Sequence, residues 1–99
     1  MDYSQLSDFE INSAVSMALL DKSANPSARY VAIGNYCNNP ADAWPIIVGR
    51  KINIRFGAEG MACEAQFMQY GHESVECYHA NPLRAAMIVF LQMQDTNHA

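Results

Sequence analysis

The stretch Asn81-Pro-Leu-Arg-Ala-Ala-Met-Ile-Val-Phe-Leu91 constrains the fold of this chain more than any other. Asn81 is a helix-capping residue, and Pro82 suits the first helical position, where a missing backbone N–H leaves nothing unsatisfied. Leu83, Ala86, Met87, Phe90 and Leu91 then fall on one helical face, while Ile88 and Val89 make the helix apolar on further sides. A helix that is apolar nearly all round is either enclosed by its own chain or shared with a partner. Enclosure is demanding for 99 residues, because a chain of this size buries only about 60–70% of the surface it exposes when unfolded. Two arrangements follow: full burial under a sheet, or a homodimer through Ile88, Val89 and Gln92.

The elements that must surround this helix have local signals. Ser7 and Glu10 form a capping box, Leu6 and Ile11 occupy the staple positions, and Asp8 and Glu10 suit the positive end of a helix dipole. Ile11, Ala14, Val15, Ala18 and Leu19 make a core-facing stripe, with Asn12, Ser13 and Ser16 on the opposite side. Pro26 supplies the stop. Tyr30-Val-Ala-Ile33 reads as a short strand ended by Gly34. Asn39 and Pro40 open a second helix over 40–49. Pro45 removes a donor and crowds the turn before it, so this helix is expected to kink or restart there and carry Ile46, Ile47 and Val48 inward. Trp44 is expected to wedge into the core beside that kink.

Beyond Gly49, Ile52, Ile54 and Phe56 alternate with Asn53 and Arg55, the period of a strand with one buried face. Gly57-Ala-Glu-Gly60 makes a turn, and Met61, Cys63, Ala65 and Phe67 supply a matching inner face, giving a hairpin over 51–68. Val75, Cys77 and His79 extend the pattern to a further strand. The fold expected is α+β in one domain, 1–99: an antiparallel sheet of three or four short strands, the N- and C-terminal helices packed on one face, and the kinked helix 40–49 at its edge.

Composition narrows the function classes. Apolar residues make up 51% of the chain and charged residues 16%, against about 25% charged in ordinary soluble domains, which argues for an ordered domain with an adhesive surface. No apolar run approaches the roughly 18 residues needed to span a bilayer, and the N-terminus has no signal-peptide pattern, so a cytoplasmic location in the bacterial host is expected. Three cysteines read as reduced thiols. The net charge of −4 is unevenly placed. Residues 29–56 carry Arg29, Arg50, Lys51 and Arg55 against Asp42, while residues 57–80 carry Glu59, Glu64, Glu73 and Glu76 with no base. An acidic total argues against binding nucleic acid by phosphate neutralisation, and the four bases are the surface such binding would use.

Catalytic signals are sparse. Cys63, His72, Cys77 and His79 are a metal-like set without the close ligand pairs that place two donors on one turn of chain. Cys37 or Cys77 as a nucleophile lacks a local activating motif. No phosphate-cradling loop, nucleophile elbow or close acidic pair is present. Neither an enzyme nor a cofactor is expected.

Two segments carry a resemblance. Asn39-Pro-Ala-Asp-Ala-Trp-Pro-Ile-Ile47 and Asn81-Pro-Leu-Arg-Ala-Ala-Met-Ile-Val-Phe-Leu91 resemble the NinX-like group of small proteins from lambda-like phages and prophages, in which a Pro-Ile-Ile segment after Trp or Gly and a late Pro-Leu-x-Ala-Ala-Met helix recur. Met61 or Ala62 stands where many relatives carry the Trp of a Trp-x-Ala strand. The resemblance implies a phage accessory protein and no particular chemistry. The leading expectation is a small acidic module that binds a host or phage protein, an anti-defence inhibitor of the anti-CRISPR type being one form, with Glu59, Glu64, Glu73 and Glu76 facing the partner. The alternatives are a nucleic-acid-binding accessory protein using Arg29, Arg50, Lys51 and Arg55, and a small metal-dependent enzyme.

Overall fold

The computed structural model of the chain describes residues 2–20, 33–68 and 74–97. After a short 3-10 turn at Tyr3–Gln5, the elements are α1 (Asp8–Leu20), α2 (Pro40–Gly49), β1 (Asn53–Arg55), β2 (Cys63–Phe67), β3 (Val75–His79) and α3 (Pro82–Asn97). The three strands form one antiparallel sheet in the order β1-β2-β3. The architecture is α+β, and α3 is its hub, packing against all three strands, α1, α2 and the N-terminal 3-10 turn.

The apolar excess of α3 is spent inside the chain. Every residue from Ala85 to Leu91 is buried, with Met87, Val89 and Phe90 at 0% exposure. Each such side chain the size of Val, Met or Phe contributes about 1.5–3 kcal/mol by leaving water, which makes this helix the main source of stability. Ile88 and Val89, read from sequence as dimer contacts, belong to this core at 2% and 0% exposure, and Gln92 is half-buried. A dimer through Ile88 and Val89 would require opening the core, so that contact is corrected. Small residues make the enclosure possible, since Ala65 of β2 and Ala85 and Ala86 of α3 are all fully buried where sheet and helix meet.

α1 forms where its sequence signals place it. The Ser7 N–H donates to Glu10 Oε1 at 2.9 Å, and the Glu10 N–H donates to Ser7 Oγ at 3.1 Å. Ile11 and Val15 are fully buried, and the close contacts of α1 are with α3. Asn12 departs from expectation: it is buried, because its side-chain carbonyl accepts the Cys37 N–H at 3.0 Å. The Asn-rich loop before α2 is thus tied to α1. The same loop is tied to the cap of α3, where Asn81 Nδ2 donates to Cys37 O at 2.7 Å while its Oδ1 accepts from the Leu83 and Arg84 N–H groups. The expected strand over 30–33 falls on residues 30–32 outside the described ones, as does the Pro26 stop, and Ile33 is exposed and not in a strand.

Pro45 lies inside α2, which runs as one helix from Pro40 to Gly49 under an Asn39 cap without a restart. Gly49 does not end it. The end is made by Lys51 in the left-handed region at φ 58, with Lys51 N–H donating to Val48 O and Ile52 N–H to Ile47 O. That pair of bonds, with Ile47 and Ile52 both buried, is a Schellman motif carrying Lys where Gly is the common choice. It turns the chain directly from α2 into β1.

Arg84 fixes the N-terminus. Its side chain is 9% exposed and reaches Asp8 Oδ1 at 2.6 Å, Leu6 O at 2.6 Å and Ser4 O at 3.3 Å. A hydrogen bond from Asn38 and the Arg84 guanidinium hold the Asp8 carboxyl below the usual range. At the other end of α3, the Tyr3 hydroxyl donates to Asp95 Oδ2 at 2.6 Å. Burial and that carboxylate push the Tyr3 phenol up to about 12.

Candidate functional site

Alternation sorts the sheet into two faces. Cys63 and Ala65 of β2 point at α3 and are buried, while Glu64 and Gln66 point away. The register then assembles two rows on the outer face. Arg55, Glu64 and Tyr78 stand side by side across the three strands, and Asn53, Gln66 and Glu76 make the next row. Asn53, Arg55, Glu76 and Tyr78 are all exposed, so α3 covers one face of the sheet and no described element covers the other.

The first row is an electrostatic unit. Arg55 Nη1 lies 3.6 Å from Glu64 Oε1. The Tyr78 hydroxyl first, with Arg55 as a smaller influence, holds the Glu64 carboxyl below its ordinary range, and Glu64 in turn raises the Tyr78 phenol. Glu76, diagonal to Glu64, is raised because it hydrogen-bonds that carboxylate and feels its charge. Two acids, one base and a phenol therefore form one electrostatically linked patch on the face of the sheet that no described element covers.

Of the four glutamates read as a partner-facing set, the structure brings Glu64 and Glu76 together. Glu59 sits in the 58–61 turn between β1 and β2, closed by the Met61 N–H on Ala58 O and by Gly60 at φ 83, away from the strand register. Glu73 lies outside the described residues. The basic set does not converge either. Arg50 stands 5.4 Å over the Phe90 ring, a cation–π contact with the core helix, Arg55 is engaged by Glu64, Lys51 is exposed at the end of α2, and Arg29 lies outside the described residues.

Burial works against ionising two of the three thiols. Burial pushes Cys37 up to about 11 and also raises Cys77, the opposite of what a nucleophile needs. Cys63 is buried beneath the sheet. His79 uses Nδ1 to accept the Asn81 N–H at 2.9 Å, and His72 lies outside the described residues. Among the described residues no group of three or more His, Cys, Asp or Glu is placed to hold a metal ion, and no helix is long and apolar enough to cross a membrane.

A second surface was missed from sequence. Trp44, Val48 and Phe56, all expected in the core, are 61%, 53% and 74% exposed. Together with Ile47, Lys51, Ile52, Asn53 and Ile54 they line an open cleft of about 350 Å³ between α2 and the outer edge of β1. Helical phase explains the two α2 residues. Ala43, Ile46 and Ile47 form the buried stripe, which leaves Trp44 and Val48, four apart, on the adjoining flank. Phe56 lies beyond the three-residue ladder of β1, so nothing holds it to the inner face. The i, i+3, i+4 spacing of Ala43, Ile46 and Ile47 was the signal available.

Fold and surface define a small α+β domain with two distinguishing exposed surfaces, the outer face of its sheet and the cleft beside β1. The chain belongs to the family described as Bacteriophage P22, NinX, whose family model matches residues 2–94. It is a phage protein by that membership. No curated protein and no solved structure matches the chain.

Proposed function

We propose that this phage accessory protein works by binding another protein, of the host or of the phage, through the outer face of its sheet. The observation that carries the reading is the row Arg55–Glu64–Tyr78 with Glu76 beside it on the face that α3 does not cover, Arg55, Tyr78 and Glu76 being exposed and the Glu64 side chain, between Arg55 and Tyr78, 12% exposed. Tyr and Arg are enriched where proteins meet, and a fixed charge pattern selects a partner by complementarity more than by area. Two carboxylates against one guanidinium leave the patch acidic at neutral pH, which suits a basic partner surface. An anti-defence role fits the same chemistry: a host complex with a basic nucleic-acid channel would meet Glu64 and Glu76. Binding nucleic acid directly is disfavoured by the dispersal of Arg50, Lys51 and Arg55.

The test is affinity recovery from host lysate with wild-type protein, a Glu64→Gln/Glu76→Gln variant and a Tyr78→Ala variant, each confirmed folded. One partner recovered in stoichiometric amount by the wild type and lost by both variants is the expected result. Equal recovery by all three removes the sheet face from the function.

A further inference from the structure

The structure assigns the cleft beside β1 to a second copy of this chain: we infer a two-fold dimer in which β1 pairs antiparallel with β1 of the second copy, centred on Ile54. Three observations carry this.

First, β1 is an edge strand among the described residues, and the apolar side chains Trp44, Val48 and Phe56 crowd that edge at more than half exposure. Uncovered edges flanked by exposed apolar groups are pairing templates unless something blunts them. Neither proline nor a bulge interrupts the three residues of β1.

Second, the sequence of the edge is complementary to itself about Ile54. Antiparallel pairing of Asn53–Arg55 with Ile54 on the axis sets Asn53 opposite Arg55 of the second copy and Ile54 opposite its own counterpart, and brings the flanking Ile52 and Phe56 of the two copies to the same ends of the seam. Within β1 Ile54 meets Ile54 on the helix-facing side, Asn53 meets Arg55 on the outer side, and no like charges stand directly opposite. Each Arg55 keeps its own Glu64.

Third, the same patch is both concave and convex: it holds a cleft of about 350 Å³ and presents the rings of Trp44 and Phe56 at its rim. A two-fold contact requires one surface to supply both shapes, so that each copy inserts into the other. The joined sheet has six strands, and its outer face carries the Arg55–Glu64–Tyr78 row twice. The dimer does not depend on the partner-binding reading, since the face used there remains open in both states.

The test joins mass in solution to a register-specific cross-link. Sedimentation equilibrium across a wide concentration range should give a monomer–dimer equilibrium, and Phe56→Asp should weaken it by about tenfold or more while leaving the circular dichroism spectrum unchanged, because Phe56 is 74% exposed. Ile54→Cys should form a disulfide-linked dimer under mild oxidation, since only the axial residue meets its own copy, whereas Glu59→Cys on the turn should not. A monomer at every concentration overturns the inference. A dimer that survives Phe56→Asp, or one that Cys at 54 does not trap, also overturns it, and would place the contact elsewhere.

Discussion

Replacing Asp8 by Asn tests whether the clamp on Arg84 holds the N-terminus onto the core. The guanidinium is 9% exposed at its side chain and has three acceptors, of which Asp8 is the only charged one. Hydrogen bonds to charged groups are worth about 1.5–3 kcal/mol. The Asp8 side chain is 45% exposed, so solvent screens its half of the pair, and the lower end, about 1.5 kcal/mol, is expected. With a urea slope of about 1–1.5 kcal/mol/M for a small domain, the unfolding midpoint should fall by about 1 M with no change in slope. The pH dependence has a definite sign. The folded Asp8 pKa is lowered, so its contribution is fully present above the ordinary carboxylate value near about 3.9 and is lost as pH falls through the lowered folded value. The gap between wild type and variant should therefore close in acid. A midpoint shift below about 0.3 M at neutral pH, or a gap that persists at low pH, would refute the reasoning.

Lys51→Gly should stabilise the protein by about 0.5–1 kcal/mol, because Lys51 occupies the left-handed region that costs a side chain more than glycine; a lower thermal midpoint would contradict the Schellman assignment. Gly57→Ala should destabilise by about 1–3 kcal/mol, since a Cβ there would overlap the Ala62 carbonyl oxygen and lie 2.9 Å from Met61 Cβ, and chemical denaturation measures it directly. Carboxyl NMR titration should show Glu76 losing its proton at higher pH than Glu64, and Glu64→Gln should bring Glu76 back toward its ordinary value. The linked effect of Glu76 on folding is present below its unfolded value and is lost as pH rises through its raised folded one; titration curves that coincide would dissolve the pair.

The parts of this fold legible in the sequence are those decided by neighbours along the chain. The Ser7–Glu10 box, the Asn39 and Asn81 caps and the alternation of Cys63 and Ala65 each need only a few residues of context, and each is found in place. Trp44 and Phe56 were misread because size and hydrophobicity say that a ring prefers burial, not that a partner surface exists within reach. Asn12 was misread for the converse reason, since its burial is stabilised by the Cys37 N–H, 25 positions away in the chain. The candidate site was least legible. Glu64 and Glu76 were noticed as members of an acidic run, but their convergence with Arg55 and Tyr78, and the departure of Glu59, follow from strand register, which composition does not encode. A register shifted by one residue would turn Glu64 inward and Ala65 out.

The central position of α3 has a consequence for how the chain reaches its native state. The last of the described elements is also the one that every other element needs, and the contacts that close the structure span nearly its whole length: Tyr3 with Asp95, and Ser4, Leu6 and Asp8 with Arg84. A chain still emerging from the ribosome, with residues 82–97 not yet released, has strands with no helix to cover their inner face and an α1 whose stripe meets nothing. Closure over such separations carries a large entropic cost before any contact compensates it, which slows folding and prolongs exposure of apolar segments. Assembly of this core therefore waits for the release of α3, and a premature stop anywhere upstream of Asn81 leaves a polypeptide for the proteases instead of a weakened version of the protein.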